Sequence, residues 1–510
     1  MQKEKESSEA SHYLKMLVKV SAFIFVATIV SKLATYGYKI LVVRYFGVEK
    51  YGLFSLAIIV IGIVAALATL GLNEGIVRYI SFYRGRGEFS NIKKLISNSR
   101  KIFIFSSIVT MVVIIILAPF ISETIFHNKE FTPMLKGMAL GLPFILLAGL
   151  YLAILRGFEK IKTYSFLINI YQNITRLALI TLLILAGIGA VSITISYVTT
   201  FIGLAALSYY YSKKEIVSIE ADAIKPAGRI MYEILSYSWP LMFVGVLYNI
   251  FYWSDSLVLG YLNDAVDVGL YNVAVTIISL FGIALDLFMQ LLFPLVSFKL
   301  SEDKKELIKK LVRQVMKWIY LINIPLFIFI FLFPEKIIYI LFKVNDPIAS
   351  QVLQILSIGV LFLNTVVLAT SLLSIKGRTK LVLANFAVFT VLNIALDFLL
   401  IPNYGMLGAA TATLVTAISF STCLMLQIKR IYGFGIIASY FSKLILVGVA
   451  MFFVMYLVSG YVRESLFAIV TSGIVVVIFY LVALYLLKIL DAEDMEIIHA
   501  IFKKTRLNKI

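Results

Sequence analysis

Residues 17–42 read LVKVSAFIFVATIVSKLATYGYKILV, an apolar run whose only charges are Lys19, Lys32 and Lys39. A helix needs about 20 mostly apolar residues to cross the hydrocarbon core of a bilayer. This run has that length, and it exceeds the roughly 7–15 residues of a signal-peptide core. No A-x-A-like cleavage site follows, so it reads as an uncleaved first span. Burial in a soluble core is excluded by composition. Of 510 residues 61% are hydrophobic and only 15% charged, with mean hydropathy +0.97. A soluble domain is nearer half apolar and a quarter charged, and one core cannot hide such an excess.

The same pattern recurs along the chain. About fourteen spans are predicted: Leu17–Val42, Leu53–Val77, Ile102–Ile125, Met138–Leu155, Tyr164–Ala186, Ser192–Tyr211, Ile234–Leu262, Val268–Phe298, Trp318–Phe333, Val352–Ile375, Leu381–Ile401, Leu407–Ile428, Ile437–Val458 and Leu466–Leu487. In lipid a helix satisfies its own backbone and an open strand does not. The expected fold is therefore an all-α polytopic membrane protein. Pro143, Pro240, Pro294 and Pro325 fall within spans and are expected to kink them.

The net charge of +18 suggests a nucleic-acid partner, but its distribution does not. Basic residues cluster in alternate loops, such as Arg84–Lys101, Arg156–Lys162, Lys304–Arg313 and Lys376–Lys380, and in both tails. The opposite loops hold only Arg44, Lys50, Lys129, Lys136, Lys336, Lys343 and Arg463. The asymmetry predicts both termini in the cytoplasm and no nucleic-acid partner. Cys423 is the single cysteine, and His12, His127 and His499 lie outside the spans. No metal cluster, cofactor or nucleotide motif is expected, and no loop is long enough to house catalysis.

Two segments echo each other. Leu41–Ala57 reads LVVRYFGVEKYGLFSLA and Leu257–Ala274 reads LVLGYLNDAVDVGLYNVA. Each closes a span, turns, and opens the next with Gly-Leu-aromatic. The echo suggests two pseudo-symmetric six-helix lobes, residues 17–211 and 234–428. A tail (1–16), a linker (212–233), two appended spans (436–487) and a C-terminal tail (488–510) would flank them. Generic tight turns also produce such a match. Parallel repeats in transporters place the substrate at their interface.

Charges inside spans cost about 2.5–3.5 kcal/mol each at a helix centre, so they mark cavities or partners. Lys32, Tyr36 and Lys39 share one face of the first span. Two ammoniums beside an aromatic ring suit a phosphorylated glycan, although Lys39 near a span end also suits snorkelling. Asn169, Asn173 and Arg176 share a stripe of the fifth span. They face a polar interior, or else Arg176 bonds carbonyls of a neighbouring helix. Tyr248, Tyr252 and Asp255 mark a face of the seventh span. Asp286 pairs with Gln290, and Asn393 with Asp397, at i, i+4. Asp286 is expected either to take a coupling ion or to neutralise Lys32 or Arg176. Asp255 and Asp397 are expected near the outer face in solvated roles. Glu74 and Arg78 are spaced for a local salt bridge.

These segments carry a family resemblance. RYFGVEKYGLFSLA (44–57), DSLVLGYLNDAVDVGLYNVA (255–274), NIALDFLLIPNYGMLGAATAT (393–413) and ILRGFEK (154–160) resemble motifs of polysaccharide-export proteins. Those belong to the multidrug/oligosaccharidyl-lipid/polysaccharide (MOP) exporter superfamily. The resemblance implies a V-shaped, two-lobed fold with a cation-lined central cavity. It implies a flippase for polyprenyl-diphosphate-linked oligosaccharides in the cytoplasmic membrane, serving surface-glycan synthesis by alternating access. Membrane lipids and glycan-assembly enzymes are the expected partners. Relatives that flip the peptidoglycan precursor carry arginines in the first span where this chain has lysines. The appended spans favour the lipid-linked sugar branch, in which they help form a groove for the lipid tail. The alternatives are a cation-coupled drug exporter using Asp286 and, in another class, a membrane glycan polymerase or glycosyltransferase.

Overall fold

A computed structural model describes residues 2–217, 230–286, 305–436 and 440–459, besides 480–485 and a few single positions. Most of the linker 212–233, Gln290, Pro294, most of the span Leu466–Leu487 and the C-terminal tail lie outside the described residues. The architecture is almost wholly helical. The first half runs α1 (Gln2–Ala68), α2 (Leu72–Gly85), α3 (Phe89–Phe120), α4 (Phe131–Ala139), α5 (Leu142–Gly157), α6 (Ile161–Ser165), α7 (Gln172–Leu185) and α8 (Val191–Val217). The second runs α9 (Ile230–Leu262), α10 (Ala265–Ile278), α11 (Lys305–Leu332), α12 (Pro334–Phe342), α13 (Pro347–Ile375), α14 (Thr379–Tyr404), α15 (Met406–Tyr432) and α16 (Tyr440–Ser459).

Among the described residues ten helices are long and apolar enough to cross a bilayer, and the bent pair α4–α5, at 41°, makes an eleventh. The expected fourteen are not all counted. One cause is α1, whose apolar part Phe23–Ala68 has 46 residues. At a 1.5 Å rise that is about 69 Å, over twice the hydrocarbon core, so it holds two crossings. They meet at Gly47, whose φ of 83° and ψ of 167° suit glycine almost alone. The second span also ends earlier than expected. Leu70 (φ 51°) and Gly71 (φ 69°) break it, and the polar Asn73, Glu74 and Arg78 fall in the separate α2. Pro143 follows the 41° bend between α4 and α5, in the first turn of α5, where a missing N–H costs nothing. Pro240 and Pro325 do lie inside α9 and α11.

The chain divides into two compact units, residues 1–276 with 383–412 and residues 277–382 with 413–510. In the first, α5 and α8 pack around Ala148, Leu152, Leu155 and Leu204. Two glycine seams bring other helices into backbone contact there. A Cβ on Gly52 would stand 1.9 Å from the Ala265 carbonyl oxygen, and one on Gly269 would stand 2.1 Å from that of Val48. Gly52 and Val48 are the counterparts of Gly269 and Ala265 in the sequence echo, so the two matched hairpins touch reciprocally. The second seam joins α2 to α9. A Cβ on Gly71 would meet the Ser238 carbonyl at 2.1 Å, and one on Gly75 the Ser238 hydroxyl at 2.1 Å. In both places the lack of a side chain permits the approach.

In the second unit α11 packs on α13 and α16. The Tyr320 hydroxyl lies 3.0 Å from the Leu361 carbonyl and 3.1 Å from the Thr365 hydroxyl. Tyr320, Phe327, Leu361, Phe441, Gly448 and Phe452 line an apolar groove of about 260 Å³.

Candidate functional site

The first unit holds a cluster of cations built on α1 and α7. Lys39 lies within electrostatic reach of both Lys32 and Arg176. Its Nζ donates to Thr276 Oγ1 on α10 at 3.2 Å, and the Tyr51 hydroxyl lies 2.9 Å from the same oxygen. Neither Lys39 nor Arg176 is in an ion pair among the described residues. Arg176 instead faces aromatic rings, 5.0 Å from Tyr197, 5.5 Å from Phe201 and 5.9 Å from Tyr38. Its buried Nε has no hydrogen-bond partner. Cation–π contact holds the guanidinium without neutralising its charge. The arrangement is ready for an anion that brings acceptor oxygens.

A widened turn sets the register of α7. Residues Phe166–Tyr171 form a π-helical segment immediately before it. The Asn173 amide nitrogen is 3.0 Å from the Ile168 carbonyl and 2.9 Å from the Ser31 hydroxyl. Thr35 donates to the Asn173 amide oxygen at 3.1 Å. One asparagine thus ties α1 to α7 and aligns Arg176 with the lysine face. Asn173→Ala removes this tie and is expected to lower stability by about 1–3 kcal/mol, read as a fall in the melting temperature of detergent-solubilised protein. An unchanged melting temperature contradicts the tie.

The second constellation is acidic. Asn393 on α14 donates to Asp255 Oδ1 at 2.8 Å and to Asp397 Oδ2 at 3.1 Å. The Tyr271 hydroxyl donates to the other Asp255 oxygen. Asp397 is fully buried, not solvated as its place near a span end suggests, and its Oδ1 has no hydrogen-bond partner. The helix α10 serves both constellations, with Tyr271 at the acids and Thr276 at Lys39.

The remaining candidates are dispersed. Lys32 and Tyr36 are half-buried on α1. Asn169 turns back along its own chain to Ser165 at 3.0 Å. Tyr252 is 40% exposed, with its ring 4.5 Å from Tyr248. Asp286 is exposed and lies in the second unit. Glu74 pairs with Arg156 at 2.8 and 3.3 Å instead of with Arg78. Arg78 stacks 4.1 Å above the Tyr237 ring on α9. A two-pronged Arg–carboxylate contact outweighs a local i, i+4 pair. Tyr38, Tyr51, Tyr197, Tyr271 and Thr276 went unnoticed as candidates because hydroxyl and aromatic side chains are common in spans. For Tyr271 and Thr276 the signal is the i+4 step from Asn272 to Thr276 and the Tyr-Asn pair 271–272. A further cavity of about 410 Å³, lined by Gly62, Asn73, Gly149, Met242 and Gly245, exists because small residues meet there.

Comparison with known proteins places this geometry. Residues 17–301 match the family model described as polysaccharide biosynthesis protein, and residues 240–399 match the MatE family. The "Probable low-salt glycan biosynthesis flippase Agl15" of Haloferax volcanii is 25% identical over 404 residues, 79% of this chain and 80% of that protein. Among solved structures, the lipid II flippase MurJ in an inward closed conformation superposes with TM-score 0.70 at 20% identity, covering 90% of this chain and 97% of that one. The MATE multidrug transporter DinF-BH gives 0.63 at 17% identity, covering 82% and 95%. The structural likenesses establish the fold, and the match over more than half the sequence establishes the family: this multi-pass membrane protein belongs to the polysaccharide biosynthesis protein family.

Proposed function

We propose that this protein is a flippase that carries a polyprenyl-diphosphate-linked oligosaccharide across the cytoplasmic membrane for glycan assembly, with both termini in the cytoplasm. The observation that carries the reading is the cluster of Lys32, Lys39 and Arg176 on apolar helices. A diphosphate supplies the charge and acceptor oxygens that such a cluster lacks. Tyr36, Asn169 and Tyr252 would contact the sugars, while the prenyl chain stays in lipid. Reorientation proceeds by alternating access. The probable glycan biosynthesis flippase named in Haloferax volcanii supports the choice of a glycan substrate. Glycan-assembly enzymes would deliver and receive the substrate. The test is a leaflet assay in proteoliposomes, scoring a fluorescent polyprenyl-diphosphate oligosaccharide against a membrane-impermeant quencher. Protein-dependent exchange supports the reading. Absence of exchange, in vesicles where the same protein extrudes small organic cations, replaces it with drug export.

The pair Asp255–Asp397 favours ion coupling within this reading. Two carboxyl groups bridged by one amide in a low-dielectric interior need a proton or a monovalent cation between them. Asp397→Asn keeps the shape and removes one charge. Exchange by the wild type is expected to change severalfold when a Na⁺ or proton gradient is imposed, and exchange by Asp397→Asn is expected to ignore it. A full gradient response in the variant removes the pair from coupling. Asp286, exposed in the second unit, is the alternative carboxylate for the same test.

A further inference from the structure

A groove of about 560 Å³ opens on the first unit, and none of the cation-cluster residues lines it. Leu67, Ala68 and Leu70 at the end of α1 form one wall, and Phe105, Val109 and Thr110 on α3 form the other. Its lining is apolar and open to the surroundings, with Phe105 72% and Val109 42% exposed. The two hydroxyls on it are turned onto the backbone of α3: Ser106 bonds the Phe103 carbonyl at 3.4 Å and Thr110 the Ser106 carbonyl at 2.7 Å. The groove therefore suits a hydrocarbon chain, not a polar solute.

Lys101 stands at one end of it. Its side chain is exposed, and among the described residues it makes no ion pair or hydrogen bond. From Lys101 to Thr110 the helix rises about 14 Å, near half the depth of the hydrocarbon core. A chain lying along α3 from that lysine would reach toward the middle of the membrane. The same end of α3 carries Lys93, Lys94 and Arg100, with Arg84 and Arg86 just before it. Such a basic rim draws anionic headgroups.

We propose that this groove binds an anionic membrane lipid, with its headgroup phosphate on Lys101 and one of its chains packed along α3 against Leu67 and Leu70. One unpaired ammonium matches the single charge of a phosphodiester better than the several charges of a diphosphate. The site is thus distinct from the one proposed for the transported substrate, and it does not depend on the flippase reading.

Native mass spectrometry of the purified full-length chain tests it, with phosphatidylglycerol and phosphatidylcholine offered in equal amounts. The wild type is expected to retain phosphatidylglycerol preferentially. Lys101→Ala lowers that retention about fivefold, the worth of one interfacial charge, and leaves phosphatidylcholine unchanged, while Lys101→Arg restores it. Val109→Trp fills the groove and lowers retention of both lipids. Undiminished phosphatidylglycerol in Lys101→Ala or in Val109→Trp overturns the proposal. So does its displacement by an equimolar polyprenyl diphosphate, which assigns the groove to the transported lipid.

Discussion

Alanine at both Lys39 and Arg176 is expected to lower leaflet exchange of the lipid-linked oligosaccharide by about 100-fold or more. A hydrogen bond to a charged group contributes roughly 1.5–3 kcal/mol, and two act on one diphosphate. Two such losses give about 3–6 kcal/mol, or a factor of about 10²–10⁴. The effect should concentrate on these residues because their present partners leave their charge intact. Lys39 has a hydroxyl, Thr276, and Arg176 has the rings of Tyr197, Phe201 and Tyr38. Lys39→Arg retains the charge and is expected to keep most of the activity. Lysine at position 176 keeps the charge but loses the planar fork, so it is expected to lie in between. Double-alanine protein that is folded, monodisperse and still exchanges substrate at the wild-type rate removes the cluster from the transport path.

The second large effect is at the hairpin seam. Any residue with a Cβ at Gly52 or Gly269 would stand about 2 Å from a backbone carbonyl oxygen. A backbone carbonyl cannot rotate aside as a side-chain tip can, so the hairpins must separate. Overpacking of this kind costs about 1–3 kcal/mol, enough to shift a closed–open equilibrium that strongly favours the closed state toward the open one by about 5- to 150-fold. Gly269→Ala is therefore expected to expose the region behind the seam. With the lone Cys423 replaced by serine, a cysteine placed at Thr276 reports it. Labelling by an impermeant maleimide, applied from the membrane face on which the hairpins lie, is expected to rise at least severalfold over the glycine parent. Unchanged labelling in Gly269→Ala and in the reciprocal Gly52→Ala variant means that the seam is not a gate.

Much of this protein was legible before any coordinates. Apolar runs of more than about 20 residues dictate membrane helices, because a backbone in lipid satisfies itself only that way. A charge within such a run declares a purpose by its cost, so Lys32, Lys39, Arg176, Asp255 and Asp397 stood out individually. The echo of Gly52 and Gly269 was visible as well. What sequence periodicity cannot carry is which faces meet. Helix spacing put Glu74 beside Arg78, yet the break at Leu70–Gly71 and the arrival of Arg156 from α5 gave the carboxylate a better partner. Nearness to a span end suggested a solvated Asp397, yet Asn393 and Asp255 enclose it.

The sequence by itself determined the class of solvent, the helical architecture and the short roll of polar residues that the membrane must hide, because each follows from composition and local spacing. Only the tertiary structure decided that α10 serves both the lysine face and the acid pair, that aromatic rings and not carboxylates hold Arg176, and that the two matched hairpins touch glycine to carbonyl. Those are contacts between residues up to some 240 positions apart, as with Lys39 and Thr276 at a separation of 237. Such pairings arise from the docking of helix faces, which no local pattern encodes.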